Sequence, residues 1–372
     1  MAGSAVVVVG GGPAGAICAA LLARRGHEVV LVTDSRRRPS WPDVLSPNAA
    51  AILERIGFPM DELAATARPC RGIVDGWHPG PPVYTDFQLY RFRTGWVVDR
   101  GSFDERLVRF AAGCGVRVCA SSAPAYLTGS PVNLAEAISI RWPGATGALA
   151  AAFVVDATGM AGRLLPADYN RRLRYDRLIA VRIALAAVPD PPDWMHMAAS
   201  PGGWWYTVSP ATGPTQAVFM TDGDLLPRCS TARLRHLATE FRDAFPSLSH
   251  GLTDSSLAGP VAIRDARTTY RRRVWAGRWL PIGDAFASVD PLTGSGLERA
   301  LESAESGAER VSDYLMSGCF RRLQVAALNT AQAFLAILDE LRRYYAMAVE
   351  RRPQLNGLFW QRRAGLLANR NP

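Results

Sequence analysis

The stretch AVVVVGGGPAGAICAALLARRGHEVVLV near the start constrains the fold of this chain more than any other. Residues 5–9 are a continuous apolar run, the pattern of a strand buried on both faces of a parallel sheet. A helix is expected from residue 13 to about residue 25, ended by Gly26, and a second strand over 29–32. Strand, glycine turn, helix and strand make a βαβ unit. Within the turn, Gly10 permits the sharp bend, Gly12 lets a pyrophosphate approach the backbone, and Gly15 lets helix and strand pack closely. The helix N-terminus, opened by Pro13 and Ala14, favours phosphate charge. A dinucleotide is therefore expected on Gly10, Gly12, Pro13, Ala14 and Gly15. An acidic residue should end the second strand to hold ribose hydroxyls. Thr33 stands at the usual place and Asp34 follows it, so either Asp34 takes the role one residue late or the ribose contact is weaker.

Farther along, helices are expected over 45–56 and 103–112, the second capped by Ser102, and a strand over 116–120. Three β-rich pieces at 123–127, 135–141 and 148–155 suggest a small antiparallel meander before Asp156. From about residue 178 the pattern changes. Strands at 178–187, 204–209, 215–220 and 261–268 suggest a separate antiparallel sheet, interrupted by a helix over 231–244. A strand at 279–282 leads into a glycine-rich turn and a long helix over 296–316, and the tail over 320–350 is amphipathic helix.

Three more motifs carry chemistry. Val98-Asp99-Arg100-Gly101-Ser102-Phe103-Asp104 is a charged turn before a helix. Val155-Asp156-Ala157-Thr158-Gly159 ends a strand in small residues. Pro281-Ile282-Gly283-Asp284-Ala285, followed by Asp290-Pro291-Leu292-Thr293-Gly294-Ser295-Gly296-Leu297, places an aspartate after a strand and a glycine turn before a long helix. The last geometry suits a ribityl hydroxyl and a flavin edge.

In this order and spacing the motifs resemble the FAD-dependent superfamily that includes p-hydroxybenzoate hydroxylase, geranylgeranyl reductases and flavin-dependent halogenases. The resemblance implies a mixed α/β fold: a Rossmann-like FAD domain of the glutathione-reductase and p-hydroxybenzoate-hydroxylase type, an interleaved antiparallel-sheet substrate domain, and C-terminal helices. Residues 1–75, 96–165 and 269–317 would form the FAD domain, 76–95 and 166–268 the substrate domain, and 318–372 the helical end. The resemblance also implies roles. Gly10, Gly12, Gly15 and Asp34 would hold the ADP half, and Arg100 the pyrophosphate or ribityl region. Asp156 and Gly159 would pack near the adenosine. Gly283 and Asp284 would serve the ribityl chain, and Gly294, Ser295 and Gly296 would face the isoalloxazine.

Within that superfamily, the DATG form of Asp156-Ala157-Thr158-Gly159 looks like the halogenase and reductase branch. No second dinucleotide fingerprint accompanies it, so NAD(P)H would bind transiently or an external flavin reductase would supply electrons. Gly202-Gly203-Trp204-Trp205-Tyr206 departs from the tryptophan-rich halogenase motif and is closer to geranylgeranyl-reductase-like proteins and to LodB-like and GoxB-like maturation flavoproteins. The tail through Arg343-Tyr344-Tyr345 and Phe359-Trp360 resembles the same group.

Composition enters here. All 42 basic residues are arginine; the chain has no lysine. Halogenases are thought to relay hypohalous acid to a lysine, so that relay is excluded, and halogenation ranks below two other readings. The first is hydroxylation of an electron-rich aromatic through a flavin C4a-hydroperoxide, with O₂ as co-substrate. The ring would be an indole or phenol, free or carried on a protein, such as a peptidyl tryptophan. The second is reduction of a C=C bond. His196, Trp205 and Pro291 are the candidate catalytic residues: His196, with His78, as a possible base, and Trp205 beside the flavin or substrate. The formal charge of +9 comes from scattered arginines without a nucleic-acid motif, so nucleic acid is not expected and an acidic partner fits better. Six cysteines without a CxxC pair argue for reduced thiols and no metal site. No apolar run reaches the roughly 18–20 residues that span a bilayer, and the early strand leaves no room for a signal peptide. A cytoplasmic enzyme without stable membrane insertion is the expectation.

Overall fold

The computed structural model describes residues 5–36, 41–77, 79–91, 93–131, 133, 136–162, 164, 171–185, 193–246, 261–272 and 277–365. At its centre the strand Ala5–Val9 runs parallel between Val29–Asp34 and Leu149–Asp156. Arg117–Ser121 extends the parallel sheet beyond the second strand, and Trp279–Pro281 pairs in parallel with Leu149–Asp156. Ile138–Arg141 and Tyr126–Thr128 add an antiparallel edge, the meander the glycine and proline turns predict.

The continuous apolar runs are explained by this position. Val6, Val8, Leu31 and Val155 face the helices Pro13–Arg24, Arg100–Gly113 and Gly296–Ser317. Val7, Val9, Val30 and Val154 face Ala125, Leu127, Ile138 and Trp279. Both faces are dry, so alternation has no role. Close approach at the turn requires glycine twice. Gly10 has φ +116°, and a Cβ there would stand 2.2 Å from the Ala157 carbonyl oxygen. A Cβ on Gly15 would stand 1.9 Å from the Gly10 carbonyl oxygen.

A second seven-stranded sheet has the order Ala262–Asp265, Leu178–Ala184, Gln216–Asp222, Gly203–Val208, Trp194–Ser200, Gly72–Gly76, Val83–Asp86. Its pairings are antiparallel except for Trp194–Ser200 against Gly72–Gly76. Gly72–Gly76 belongs to this sheet, although residues 72–75 fall in the segment expected for the FAD domain. Trp194–Ser200, reading WMHMAAS, carries no clean alternation and escapes the sequence pattern. One face of the sheet packs on the helix Ser230–Ala244; the other looks toward a cavity and the helices Arg321–Arg351 and Leu358–Gly365. Arg172–Arg174, Thr269–Arg271 and Ala287–Ser288 form a small separate antiparallel sheet. Among the described residues no helix is long and apolar enough to cross a membrane.

Candidate active site

The C-terminal ends of the parallel strands and one face of the second sheet enclose a cavity of about 740 Å³. In α/β sheets this end, beside the first βα turn, is where a dinucleotide is held.

At one end the wall is Gly10, Gly12, Pro13 and Ala14, where the first helix begins. Asp34 ends the second strand on the same wall, and its carboxylate accepts from Arg36 Nε at 2.9 and 3.1 Å. Gly159 also lines this end. Asp156 acts from one step behind: fully buried, it accepts from Thr158 N at 3.1 Å and Thr158 Oγ1 at 2.6 Å, and pairs with Arg271 at 3.5 Å. It therefore sets the turn that presents Gly159 rather than lining the cavity.

Mid-cavity, Arg100 is the first residue of its helix, which Asp99 caps by accepting from Ser102 N at 3.0 Å. The Arg100 guanidinium lies 3.1 Å from Asp104 and 3.2 Å from Asp43. Burial works against its charge, but the two carboxylates prevail and hold it above the ordinary arginine value. Burial pushes the Asp43 carboxyl up, with Arg100 opposing.

The Gly283-Asp284-Ala285 turn closes against the first helix. A Cβ on Gly283 would be 2.9 Å from the Ala14 Cβ, and Gly283 N donates to Ser303 Oγ at 3.0 Å. Gly283 itself is behind the wall, while Asp284 lines it. Desolvation raises the Asp284 carboxyl, opposed by Arg299, Arg100 and Arg172. Pro291 and Gly296 line the far end; Gly294, at φ +62°, and Ser295 shape the bend just outside it. Gly296 opens the long helix, so a second helix N-terminus reaches the cavity.

Sequence reasoning missed several residues here. Arg172 donates to the carbonyls of Gly159 at 3.2 Å, Asp284 at 3.1 Å and Ala285 at 2.9 Å, stitching two distant turns together. Arg271 donates to the Ala285 carbonyl at 2.9 Å. No local signal marks either arginine. Arg299 lines the cavity three residues after Gly296, a first-turn position that the motif could have flagged.

The second sheet supplies the remaining wall through Ala180, Tyr206, Met220 and Arg264, with Trp41 beside them. Strand alternation puts Trp205 and His196 on the opposite face. Trp205 stacks on Phe219 at 4.6 Å under the helix Ser230–Ala244, and half-buried His196 pairs with Thr207 on that same side. Burial lowers the His196 pKa. Neither residue lines the cavity, and His78 lies outside the described residues. Among the described residues no group of three or more His, Cys, Asp or Glu side chains is placed to hold a metal.

FAD fits this wall. Two helix N-termini and a glycine cradle face it, Asp34 and Asp284 offer acceptors at separate turns, and Arg299 Nη1 is buried with no hydrogen-bond partner among the described residues. A buried guanidinium nitrogen left unpaired is costly, and a ligand oxygen would satisfy it.

Fold and cavity together define a flavin-dependent oxidoreductase. The tryptophan halogenase family matches residues 81–366 and an NAD(P)-binding Rossmann-like domain matches 8–41, so the chain belongs to the tryptophan halogenase family. It is 24% identical to flavin-dependent halogenase armH3 of Armillaria mellea over 84% of this chain and 68% of the relative. It is 29% identical to a menaquinone reductase of Mycolicibacterium smegmatis over 82% and 75%. It is 26% identical to tryptophan 2-halogenase of Chondromyces crocatus over 83% of this chain and only 61% of that relative's length. Similar solved structures are the flavin-dependent halogenase CmlS (TM-score 0.80, 22% identity, 98% of this chain and 68% of that one) and the peptidyl tryptophan dihydroxylase QhpG (0.77, 23%, 100% and 80%). PqsL of P. aeruginosa, solved with 2-aminobenzoylacetate, follows (0.74, 21%, 98% and 100%).

Proposed function

We propose that this chain is an FAD-dependent monooxygenase that hydroxylates an electron-rich aromatic ring, an indole or phenol. The observation that carries the choice over halogenation is the absence of lysine: no side chain can form the haloamine that the family's relay uses.

Gly10, Gly12 and Asp34 would hold the ADP half; Arg100, Asp284 and Arg299 the pyrophosphate and ribityl region; and Gly296 the ring end. Bound and reduced, FAD would supply the activation of O₂. The chain's own task is then to seat a ring and exclude water. Ala180, Met220, Trp41 and Pro291 offer it a mostly apolar wall. The Tyr206 phenol, hydrogen-bonded to Trp41, is held protonated because burial raises its pKa above the ordinary value. It can therefore orient a substrate as a donor at neutral pH. Electrons would come from NAD(P)H or an external flavin reductase. The ring would arrive free or on a partner protein, the second as for QhpG, a peptidyl tryptophan dihydroxylase.

The alternative, flavin-dependent reduction of a C=C bond, is supported by the menaquinone reductase relative. Isotopically labelled O₂ separates the readings. FAD-loaded protein with a flavin reductase, NADH, chloride and a pool of indoles and phenols should yield a product carrying one labelled oxygen. A chlorinated product, or a reduced product without label, would overturn the hydroxylation.

A further inference from the structure

We propose that a second cavity, which shares Asp265 with the first, binds a nicotinamide dinucleotide, with the nicotinamide-side ribose on Asp265 and the pyrophosphate on Arg174 and Arg177. This rests on the flavin reading above and names the electron donor to that same site.

The second cavity holds about 790 Å³, within the roughly 300–1,000 Å³ of small-ligand sites. Asp265 ends a strand on its wall, as Asp34 ends one in the first cavity, and the chain builds the same clasp at both: an aspartate held by the arginine two residues on. Arg36 donates to Asp34 Oδ1 from its backbone N at 2.9 Å, and from Nε to the two oxygens at 2.9 and 3.1 Å. Arg267 donates to Asp265 Oδ1 from its backbone N at 3.1 Å, and from Nε to the two oxygens at 2.8 and 3.0 Å. In each pair Nη2 adds a bond to Oδ2. Three donors leave one of the about four acceptor sites of a carboxylate open, and the Asp265 side chain is 40% exposed. Against burial, Arg267 holds the Asp265 carboxyl below its ordinary value, so it accepts at neutral pH. The first clasp stands where a dinucleotide ribose is expected, and the second offers the same fixed acceptor to another ribose.

The arginines of the second cavity divide into two sets. Arg362 and Arg363 are committed to Asp222 and Asp224, at 2.7 to 2.9 Å. Exposed Arg174 has no hydrogen-bond or ion-pair partner among the described residues, and exposed Arg177 is bonded at 3.2 Å to Asp224 alone. Three residues apart, these two can take the phosphates by charge-assisted bonds, with no glycine fingerprint needed. The chain beyond Asp265 fixes the direction. Ala266 lines the first cavity, Ser288 Oγ donates to the Arg267 carbonyl at 2.6 Å, and Asp290 N donates to Thr268 Oγ1 at 3.0 Å. The clasp is thereby tied to the segment that leads into Pro291. A nicotinamide is one glycosidic bond from its ribose, so from Asp265 it would reach toward the end of the first cavity at Pro291 and Gly296, assigned above to the flavin ring. There the C4–H bond of the dihydronicotinamide would break, its hydride carrying both electrons to oxidised flavin, and the dinucleotide would leave as NAD⁺ or NADP⁺.

The test uses FAD-loaded protein without oxygen and without a flavin reductase. NADPH and NADH are titrated in turn while the bound flavin's absorbance is followed. With at least one of them the flavin should bleach at a rate that saturates with concentration. Arg174→Gln combined with Arg177→Gln should raise the half-saturating concentration about tenfold or more and leave the limiting rate and the FAD affinity unchanged. Asp265→Asn should raise it as well, because an amide nitrogen replaces an acceptor oxygen. Calorimetry with ADP-ribose, which keeps that ribose and both phosphates but has no nicotinamide, reads the site without turnover. It should bind FAD-loaded protein and weaken about tenfold in the double variant. Failure of both dinucleotides to bleach the flavin overturns the proposal. So does bleaching that the double variant leaves unchanged, or ADP-ribose that binds only FAD-free protein, which would put it in the first cavity. Labelled product that forms only with an added reductase would sink this inference and leave the hydroxylation standing. Saturable bleaching with no labelled oxygen in any product would sink the hydroxylation alone.

Discussion

Trp204 and Trp205 follow one another in the strand Gly203–Val208 and are both almost wholly buried, yet they belong to different parts of the molecule. Trp205 lies under the helix Ser230–Ala244, stacked on Phe219 at 4.6 Å and edge-on to Phe241 at 5.4 Å. Its Nε1 has no hydrogen-bond partner among the described residues. Trp204 lies on the cavity side of the sheet among Trp77, Tyr345 and Trp360. Its Nε1 donates to Tyr345 Oη at 3.0 Å, and Tyr345 donates to Asp290 Oδ2 at 2.6 Å, one residue before the turn that begins at Pro291. The same residue type on one side fills space, and on the other ties the C-terminal helices to the loop at the cavity's far end. What separates them is the two-residue alternation of the strand.

The largest effect expected from this contrast is Trp205→Ala. Removing a fully buried indole leaves a cavity under the helix and should cost about 3–5 kcal/mol of stability. Denaturant titration should show it, while the folded fraction still binds FAD with its original affinity. A variant that kept its stability but lost FAD would break the division between the two faces.

Tyr345→Phe sharpens the other side. It keeps the ring contacts and strips one acceptor from Trp204 Nε1 and one donor from Asp290, both buried. Leaving such groups unsatisfied should cost about 2 kcal/mol. A double-mutant cycle with Trp204→Phe checks it: the second substitution should cost less once the phenol is gone. Strict additivity would mean that the chain from Trp204 to Asp290 contributes nothing as a chain.

This contrast also marks how far the sequence could be read. The glycine turns, the parallel strands and the long helices were legible because each depends on neighbours within a few residues. Gly10 and Gly15 declare a close approach, and the run of valines declares a strand dry on both faces. Four of the second sheet's seven strands were legible, Trp194–Ser200, Gly72–Gly76 and Val83–Asp86 were not, and neither was the phase of the sheet. Choosing Trp205 over Trp204 and Tyr206 requires knowing which face meets the helix, and that is fixed by pairing with Gln216–Asp222 and by the docking of Ser230–Ala244. Arg172, Arg271 and Arg264 were invisible for the same reason. Each acts on partners brought near by the fold, as when Arg172 reaches both Gly159 and Asp284.

The smallest effect expected is a pH dependence confined to the cavity side. Burial lifts the Asp290 carboxyl to about 6, with the Arg363 guanidinium opposing. The folded state therefore holds that proton more tightly than the unfolded chain, whose aspartates titrate near the ordinary value of about 4. The contribution to stability is fully present below pH 4, declines as pH rises toward 6, and is gone above it. Asp290→Asn removes the titration and keeps an oxygen acceptor for the Leu292 amide, while its NH2 stands where Oδ2 was and can donate to the Tyr345 hydroxyl instead of accepting from it. The stability of the unaltered protein relative to Asp290→Asn should fall between pH 4.5 and pH 7.5 by an amount on the order of 1 kcal/mol. The cost of Trp205→Ala, whose described ring neighbours Phe219 and Phe241 do not titrate, should stay constant over the same range. Parallel pH profiles for the two variants would remove Asp290 as the titrating group and leave the two faces distinguished by packing alone.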